Sequence, residues 1–409
     1  MIYRKITNFG ISNSKMLIKM ELTIPRCFKP PDQSYFLFGP RGSGKSTFLK
    51  AAYPYAFYID LLKPDVQRKY QSRPETIIEE AHANPSKKVF IIDEVQKVPE
   101  LLDPVHSLIE EKQKRKFILT GSSARKLKRS GVDLLAGRVL LRQMHPFILA
   151  ELGRNSDFQN ALNHGLLPLV FAAENPADTL DTYISLYIRE EVQYEGLVRN
   201  IGNFSRFLET VSLSHASLLN ISNIARECGT ERKVVENYIS VLEDILLASR
   251  LNVFAKRAKR ALISHPKFYL FDTGVFRILR PKGPLDSPEE IDGAALEGLV
   301  FQHLKAWNSY RNNPFGIFFW RSRSGVEVDF ILYGAEGIYA FEVKNSDRIR
   351  TEDLRSLREF RYDYPDSRLV FLYRGSDRIL RDDVLCLPCD GFLSALHPAI
   401  LLKEILYLD

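Results

Sequence analysis

The stretch that most restricts this chain runs from Gly39 to Thr47, GPRGSGKST. It fits the spacing Gly-x-x-x-x-Gly-Lys-Ser/Thr without a mismatch, follows the apolar run YFLF and precedes the helix-forming FLKAAY. A strand that ends in glycines and re-enters a helix turns its backbone N–H groups inward. The positive end of the helix dipole adds to them, so such a loop cradles phosphate oxygens. Lys45 would reach the β- and γ-phosphates and Ser46 would ligate Mg²⁺. Gly39, Pro40, Arg41, Gly42, Ser43, Gly44 and Thr47 complete the cradle.

Further along comes KVFIIDE, an apolar run ending in Asp93 and Glu94. A carboxylate at the C-terminal end of a buried strand lies beside the crevice where open α/β sheets take their ligands. Asp93 would hold Mg²⁺ through its water shell, and Glu94 would orient and polarise an attacking water. FILTGSS ends in hydroxyls, so Thr120, Ser122 or Ser123 would sense a γ-phosphate; Ser122 is the one counted with the catalytic set. YFLFG (35–39), FYIDL (57–61), KVFIIDE (88–94) and FILTGS (117–122) read as buried strands, each followed by a segment long enough for a helix. That alternation predicts βαβ units and a parallel sheet.

GPRGSGKST, IIDEVQKVPEL, FILTGSSARKL and LLAGRV together resemble the AAA+-like P-loop ATPases of bacteria and archaea. In that family an ATPase core precedes a C-terminal domain of unknown function with a nuclease-like fold. The resemblance runs from about residue 33 to about residue 400. It implies ATP as ligand and hydrolysis to ADP and phosphate. It also implies a homo-oligomer, hexameric in the wider class, with Arg138 of LLAGR as a finger reaching a neighbouring subunit and Arg125 as its rival.

In the middle of the chain, LNISNIARECGTERKVVENYISVLEDILLASRLNVFAKRAKRA reads as two helices around a tight turn. Ile221, Ile224 and Ala225 form one apolar stripe, Gly229 the turn and Thr230 the cap. Val234, Val235, Tyr238, Ile239 and Leu242 form the buried face of the second helix. The basic run Lys256, Arg257, Lys259 and Arg260 would lie on a wing. With Arg232 and Lys233 on the second helix it makes a DNA-contacting set. Glu231 and Glu236 share that helix face and oppose a base-reading role, so a packing module or ATPase lid is the alternative. From Lys112 to Arg129 no acid interrupts a second basic stretch, which could track phosphates or line a solvated helix face.

Beyond a Pro/Gly-rich boundary, PKGPLDSPEE (281–290), a helix AALEGLVFQHLKAW precedes the strands FGIFFWR, VEVDFILY and GIYAFEVKN, a helix over about 351–361 and the strand RLVFLYR. Strand alternation puts Glu342 and Lys344 on one face and turns Asp329 away from Val328 and Phe330, while Glu297 on the helix adds a third carboxylate. This arrangement resembles the PD-(D/E)xK nuclease superfamily. It implies that Glu297, Asp329 and Glu342 hold a second Mg²⁺ or Mn²⁺ and that Lys344 positions a water. A nuclease-like fold kept for binding or regulation is the alternative.

The expected architecture is α/β. A P-loop NTPase sheet over 31–150 follows an N-terminal extension over 1–30, a helical and winged-helix part covers 151–285, and a small nuclease-like α/β unit covers 286–409. Hydrophobic residues at 45% and charged residues at 26% exclude a disordered chain. A net charge of +7 permits an anionic partner without requiring one. No run of 18 apolar residues occurs, so no membrane span is expected, and the N-terminal stretch lacks the apolar centre of a signal peptide. Four cysteines cannot make a disulfide scaffold; the lone pair Cys386 and Cys389 is unremarkable, and a reducing cytoplasm is the expected compartment. Three functions fit: an ATPase acting on duplex or branched DNA, a nucleotide-gated signalling or protein-remodelling switch without nucleic acid, and an ATP-regulated metal-dependent nuclease.

Overall fold

The computed structural model describes residues 24–122, 137–188, 201–255, 265–284 and 286–407. The four apolar runs form β1 (Tyr35–Phe38), β2 (Phe57–Asp60), β3 (Val89–Asp93) and β4 (Lys116–Gly121). A fifth strand, β5 (Leu140–Gln143), was not announced by the pattern, because its LLRQ is short and only half-buried. The strands pair in the order β2-β3-β4-β1-β5 and every pair is parallel. Successive residues serve opposite faces. Phe36, Phe38, Phe90, Ile92, Phe117 and Leu119 pack on one side, Tyr35, Leu37, Ile91 and Ile118 on the other. A sheet buried on both faces requires such continuous apolar runs. Because β4 inserts between β1 and β3, the C-terminal ends of all three meet at one edge.

The middle part is a helix (Ile201–Ser212), then β6 (Ser217–Leu218), α2 (Ile221–Glu227), α3 (Arg232–Asp244), β7 (Ala248–Leu251) and β8 (Lys267–Leu270). Helix α1 (Lys45–Ala52) belongs to the first sheet. The three middle strands form a small antiparallel sheet, β6-β8-β7. Asn220 caps α2 by accepting from the Asn223 N–H at 3.1 Å. The turn bends at Gly229, whose φ of 61° suits glycine. Glu231, not Thr230, holds the cap position of α3, and its side chain makes no capping bond.

The last part begins with α4 (Pro288–Tyr310), capped by Ser287. Every residue from Gly298 to Leu304 is buried, close to two full turns, as expected of a helix enclosed on all sides. Six strands follow: β9 (Phe315–Arg321), β10 (Glu327–Gly334), β11 (Gly337–Val343), β12 (Arg368–Tyr373), β13 (Ile379–Arg381) and β14 (Val384–Pro388), in the order β13-β14-β12-β11-β10-β9. The expected strands are all present, and β13 and β14 extend the sheet. The open edge of β9 is covered by the chain leaving β7: Phe254 N–H donates to Phe319 O at 2.6 Å and Phe319 N–H to Asn252 O at 3.1 Å.

Two packing features bear on how the parts are joined. One hydrophobic core contains Val235 and Leu242 of the middle part together with Leu299, Phe341 and Leu393 of the last. The Pro/Gly-rich stretch thus joins two parts that share an interior. Within the stretch before residue 31, Phe28 is buried under the ATPase sheet and Arg26 is enclosed.

His303 on α4 shows how closed this interior is. Its Nε2 accepts the Leu149 N–H at 3.0 Å and its Nδ1 donates to Leu299 O at 2.8 Å, so only the neutral ring fits. Burial pushes its pKa from 6.5 down to about 4. Stability from the neutral ring is therefore intact above pH 6.5 and is lost as pH falls toward 4. Between about pH 7.5 and about pH 5 the loss is about 2 kcal/mol. Urea unfolding of wild type and His303→Gln at both pH values isolates this contribution, because the other titrating groups cancel. The wild-type advantage is expected to shrink by that amount, and a gap independent of pH would contradict it.

Candidate functional site

Lys45 is the first residue of α1, and its Nζ folds back to donate to Gly39 O at 2.7 Å and Pro40 O at 3.2 Å. The loop before it needs left-handed backbone at Gly42 (φ 78°) and Gly44 (φ 85°). Gly39 is required for a different reason: a Cβ there would lie 2.4 Å from Met144 O. The outer side of the loop is packed by a segment the sequence reading overlooked. Leu169 N–H donates to Gly42 O at 3.3 Å and Tyr183 Oη to Arg41 O at 3.0 Å.

Behind the loop sits Arg26. Its guanidinium donates to Ser43 O (2.9 Å), His145 O (2.6 Å), Glu151 Oε1 (3.1 Å) and Tyr310 Oη (3.1 Å), and lies over the Phe147 ring at 4.7 Å. One cation thus joins the phosphate loop to the last turn of α4. No sequence motif marks it, because its partners lie far apart along the chain.

The ends of β3 and β4 supply the remaining groups. Asp93 is buried, accepts from Tyr58 Oη at 2.5 Å and takes a second bond from the Thr120 hydroxyl. Tyr58 is also hydrogen-bonded to Ser46, so it bridges the two residues expected to face Mg²⁺. Glu94 adopts left-handed backbone (φ 62°), which turns its side chain out of the strand. Its N–H donates to Thr120 Oγ1 at 3.0 Å. Gln96 Nε2 donates to Glu94 Oε2 at 2.5 Å and to Ser122 Oγ at 3.3 Å. Lys45, Ser46, Asp93, Glu94, Thr120 and Ser122 therefore meet at one sheet edge. Hard oxygens of this kind suit Mg²⁺.

Arg138 does not join them. It precedes β5, whose Leu140 pairs with Tyr35 at the start of β1, the end opposite the phosphate loop, and it is ion-paired with Glu110. Thr47 is exposed on α1. Ser123 and Arg125 lie outside the described residues, as do Lys256, Arg257, Lys259 and Arg260. On α3, Lys233 is exposed, but Arg232 Nε is 2.9 Å from Glu236 Oε1, which offsets its charge.

In the C-terminal sheet Glu297, Asp329, Glu342 and Lys344 do converge. Asp329 and Glu342 sit one residue beyond the Phe330–Phe341 pair of β10 and β11, and α4 carries Glu297 to them. Lys344 Nζ is 3.3 Å from Glu342 Oε1. Ser356 Oγ donates to Glu342 Oε2 at 3.0 Å, and Val343 N–H donates to Asp329 Oδ2 at 2.9 Å. The centre of the cluster holds a residue the sequence reading did not name. Lys267 Nζ lies 2.9 Å from Glu297 Oε1, 2.7 Å from Glu327 Oε1 and 3.0 Å from Asp329 Oδ1. Burial alone would lower the Lys267 pKa, but Glu297, Asp329 and Glu327 hold it well above the ordinary lysine range. Burial, with Asp329 beside it, pushes Glu297 up to about 7. Of the three carboxylates expected to hold a second Mg²⁺ or Mn²⁺, Glu297 and Asp329 each give one oxygen to Lys267, whereas Glu342 faces Lys344 and Ser356.

Residues 31–153 match an AAA domain, 155–286 a domain of unknown function (DUF8612) and 292–392 another (DUF4143). The chain carries a P-loop ATPase-like AAA domain. An uncharacterized protein of Mycobacterium tuberculosis is 27% identical over 315 residues, covering 75% of this chain and 69% of the relative. Among solved structures, the chain is similar to a signal transduction ATPase (STAND) protein with a tetratricopeptide repeat sensor from Pyrococcus horikoshii. Identity is 12% and the TM-score 0.25, over 69% of this chain and 45% of that one, so the chain spans less than half its length. AMPPCP-bound DnaA from Aquifex aeolicus is 13% identical with a TM-score of 0.25, over 52% of this chain and 81% of that one. Among the described residues no helix is long and apolar enough to cross a membrane.

Proposed function

We propose that this chain is an ATP-hydrolysing switch. The observation that carries the reading is the meeting of Lys45, Asp93, Glu94 and Ser122 at the ends of three adjacent strands. Lys45, released from Gly39 O and Pro40 O, holds the β- and γ-phosphates. Ser46 and Asp93 would hold Mg²⁺, which when bound neutralises phosphate charge. Glu94 orients and polarises the attacking water, and Ser122, tied to Glu94 through Gln96, reports the γ-phosphate. Arg26 carries the state of the loop to α4 and so to the C-terminal sheet. Arg138, turned away from its own loop, acts on a neighbour's nucleotide in a homo-oligomer. Mg²⁺-dependent release of phosphate from ATP, lost in Lys45→Ala, is the direct test; equal turnover in that variant would sink the reading.

Action on DNA is the second reading. It is supported by α2 and α3 followed by the antiparallel pair β7 and β8, an order that suits groove docking. The Arg232–Glu236 pair and the acids beside it favour the switch. We therefore expect ATP turnover to change by less than about twofold with single-stranded, duplex or four-way-branched DNA at low salt. Stimulation that fades as salt rises would move the conclusion to DNA.

A further inference from the structure

We infer that Lys267 is the permanent occupant of the cation position in the C-terminal carboxylate cluster, so that this unit holds the chain together and does not cut phosphodiesters. An ammonium group has three N–H donors and no acceptor. Here three carboxylate oxygens, from Glu297, Glu327 and Asp329, lie 2.7–3.0 Å from Nζ, so each donor has its own acceptor. These are N–H···O lengths. A divalent ion would draw the same oxygens to about 2.0–2.6 Å, and it cannot share the centre with a second positive charge. Lys267 is almost fully enclosed, and Tyr269 Oη donates to Glu297 Oε1 at 2.6 Å from the same strand. Four further oxygens have partners of their own: Asp329 Oδ2 the Val343 N–H, Glu342 Oε2 the Ser356 hydroxyl, Glu342 Oε1 Lys344 and Glu327 Oε2 Arg321.

The origin of the cation matters as much as its position. Lys267 and Tyr269 belong to β8 of the middle part, whereas Glu297 is on α4 and Glu327 and Asp329 are on β10. The contacts that would otherwise hold a metal therefore pin one part of the chain to another. Breaking a buried ion pair leaves an uncompensated charge, so the pin resists exchange with solvent ions.

The probe is Mn²⁺ alone, titrated into the full chain without nucleotide and followed by the paramagnetic resonance signal of the free ion. Wild type and Asp329→Asn are expected to bind Mn²⁺ equally weakly. Lys267→Ala is expected to gain a site at least about tenfold tighter than any in wild type, and Lys267→Ala with Asp329→Asn to lose it. Wild-type binding that Asp329→Asn weakens tenfold or more would overturn the inference. So would a folded Lys267→Ala with no added site. If Lys267→Ala does not fold, the wild-type protein decides. A rise in its melting temperature with Mn²⁺ that Asp329→Asn and Glu342→Gln each abolish overturns the inference, and no such rise sustains it.

Discussion

Glu94→Gln is expected to bind ATP as tightly as wild type and to hydrolyse it about 10²-fold more slowly or worse. The amide keeps the size of the carboxylate and can still accept the bond from Gln96 Nε2, so the local geometry survives. What is lost is the negative charge that draws a proton from the attacking water. Binding is unaffected because the phosphate-loop amides and Lys45 come from β1 and α1, not from the end of β3. Single-turnover hydrolysis, paired with a fluorescent-nucleotide titration, separates the two effects. Turnover within about threefold of wild type would remove Glu94 from its role. A parallel loss of binding would show instead that the substitution had disturbed Asp93 or Thr120, which share its hydrogen-bond network.

Arg26→Ala should destabilise the protein by about 3–5 kcal/mol. The guanidinium is enclosed, and its removal leaves Glu151 buried with only backbone partners, the Cys27 and Ile148 N–H groups. It also takes the same donor from Ser43 O and Tyr310 Oη at once, so the phosphate loop and the end of α4 lose their common anchor. Tyr310→Phe removes the bonds that its hydroxyl accepts from Arg26 and from the His145 N–H, and should cost about 1–3 kcal/mol. Urea unfolding of both variants measures the energies. A loss below about 1 kcal/mol for Arg26→Ala would mean that the cation is dispensable. If Arg26 couples the two parts, KM for ATP rises in both variants, whereas a purely structural cation would leave KM alone in Tyr310→Phe.

Much of the nucleotide end was legible because its chemistry is local. A phosphate cradle must be contiguous, so Gly39 to Thr47 announce themselves. Strands buried on both faces must be apolar throughout, so β1 to β4 were visible, whereas half-buried β5 was not. Asp93 and Glu94 were placed at the sheet edge from the sequence because strand ends in parallel sheets face the crevice. Tyr58 and Gln96 escaped, since each is an ordinary residue whose value comes from what lies across the sheet. Arg138 was expected as a finger, and only the pairing of β5 with β1 shows that it faces away from its own loop.

The C-terminal cluster shows the limit most plainly. Strand alternation and one helix were enough to bring Glu297, Asp329, Glu342 and Lys344 together on paper, and they do meet. The sequence alone determined that carboxylates would gather on one face. It could not say what sits among them, because Lys267 comes from another part of the chain and enters only when β8 packs against α4 and β10. Local periodicity dictates which residues share a face. Long-range packing decides which charge fills the space between faces, and at this cluster that choice separates a metal centre from a structural pin.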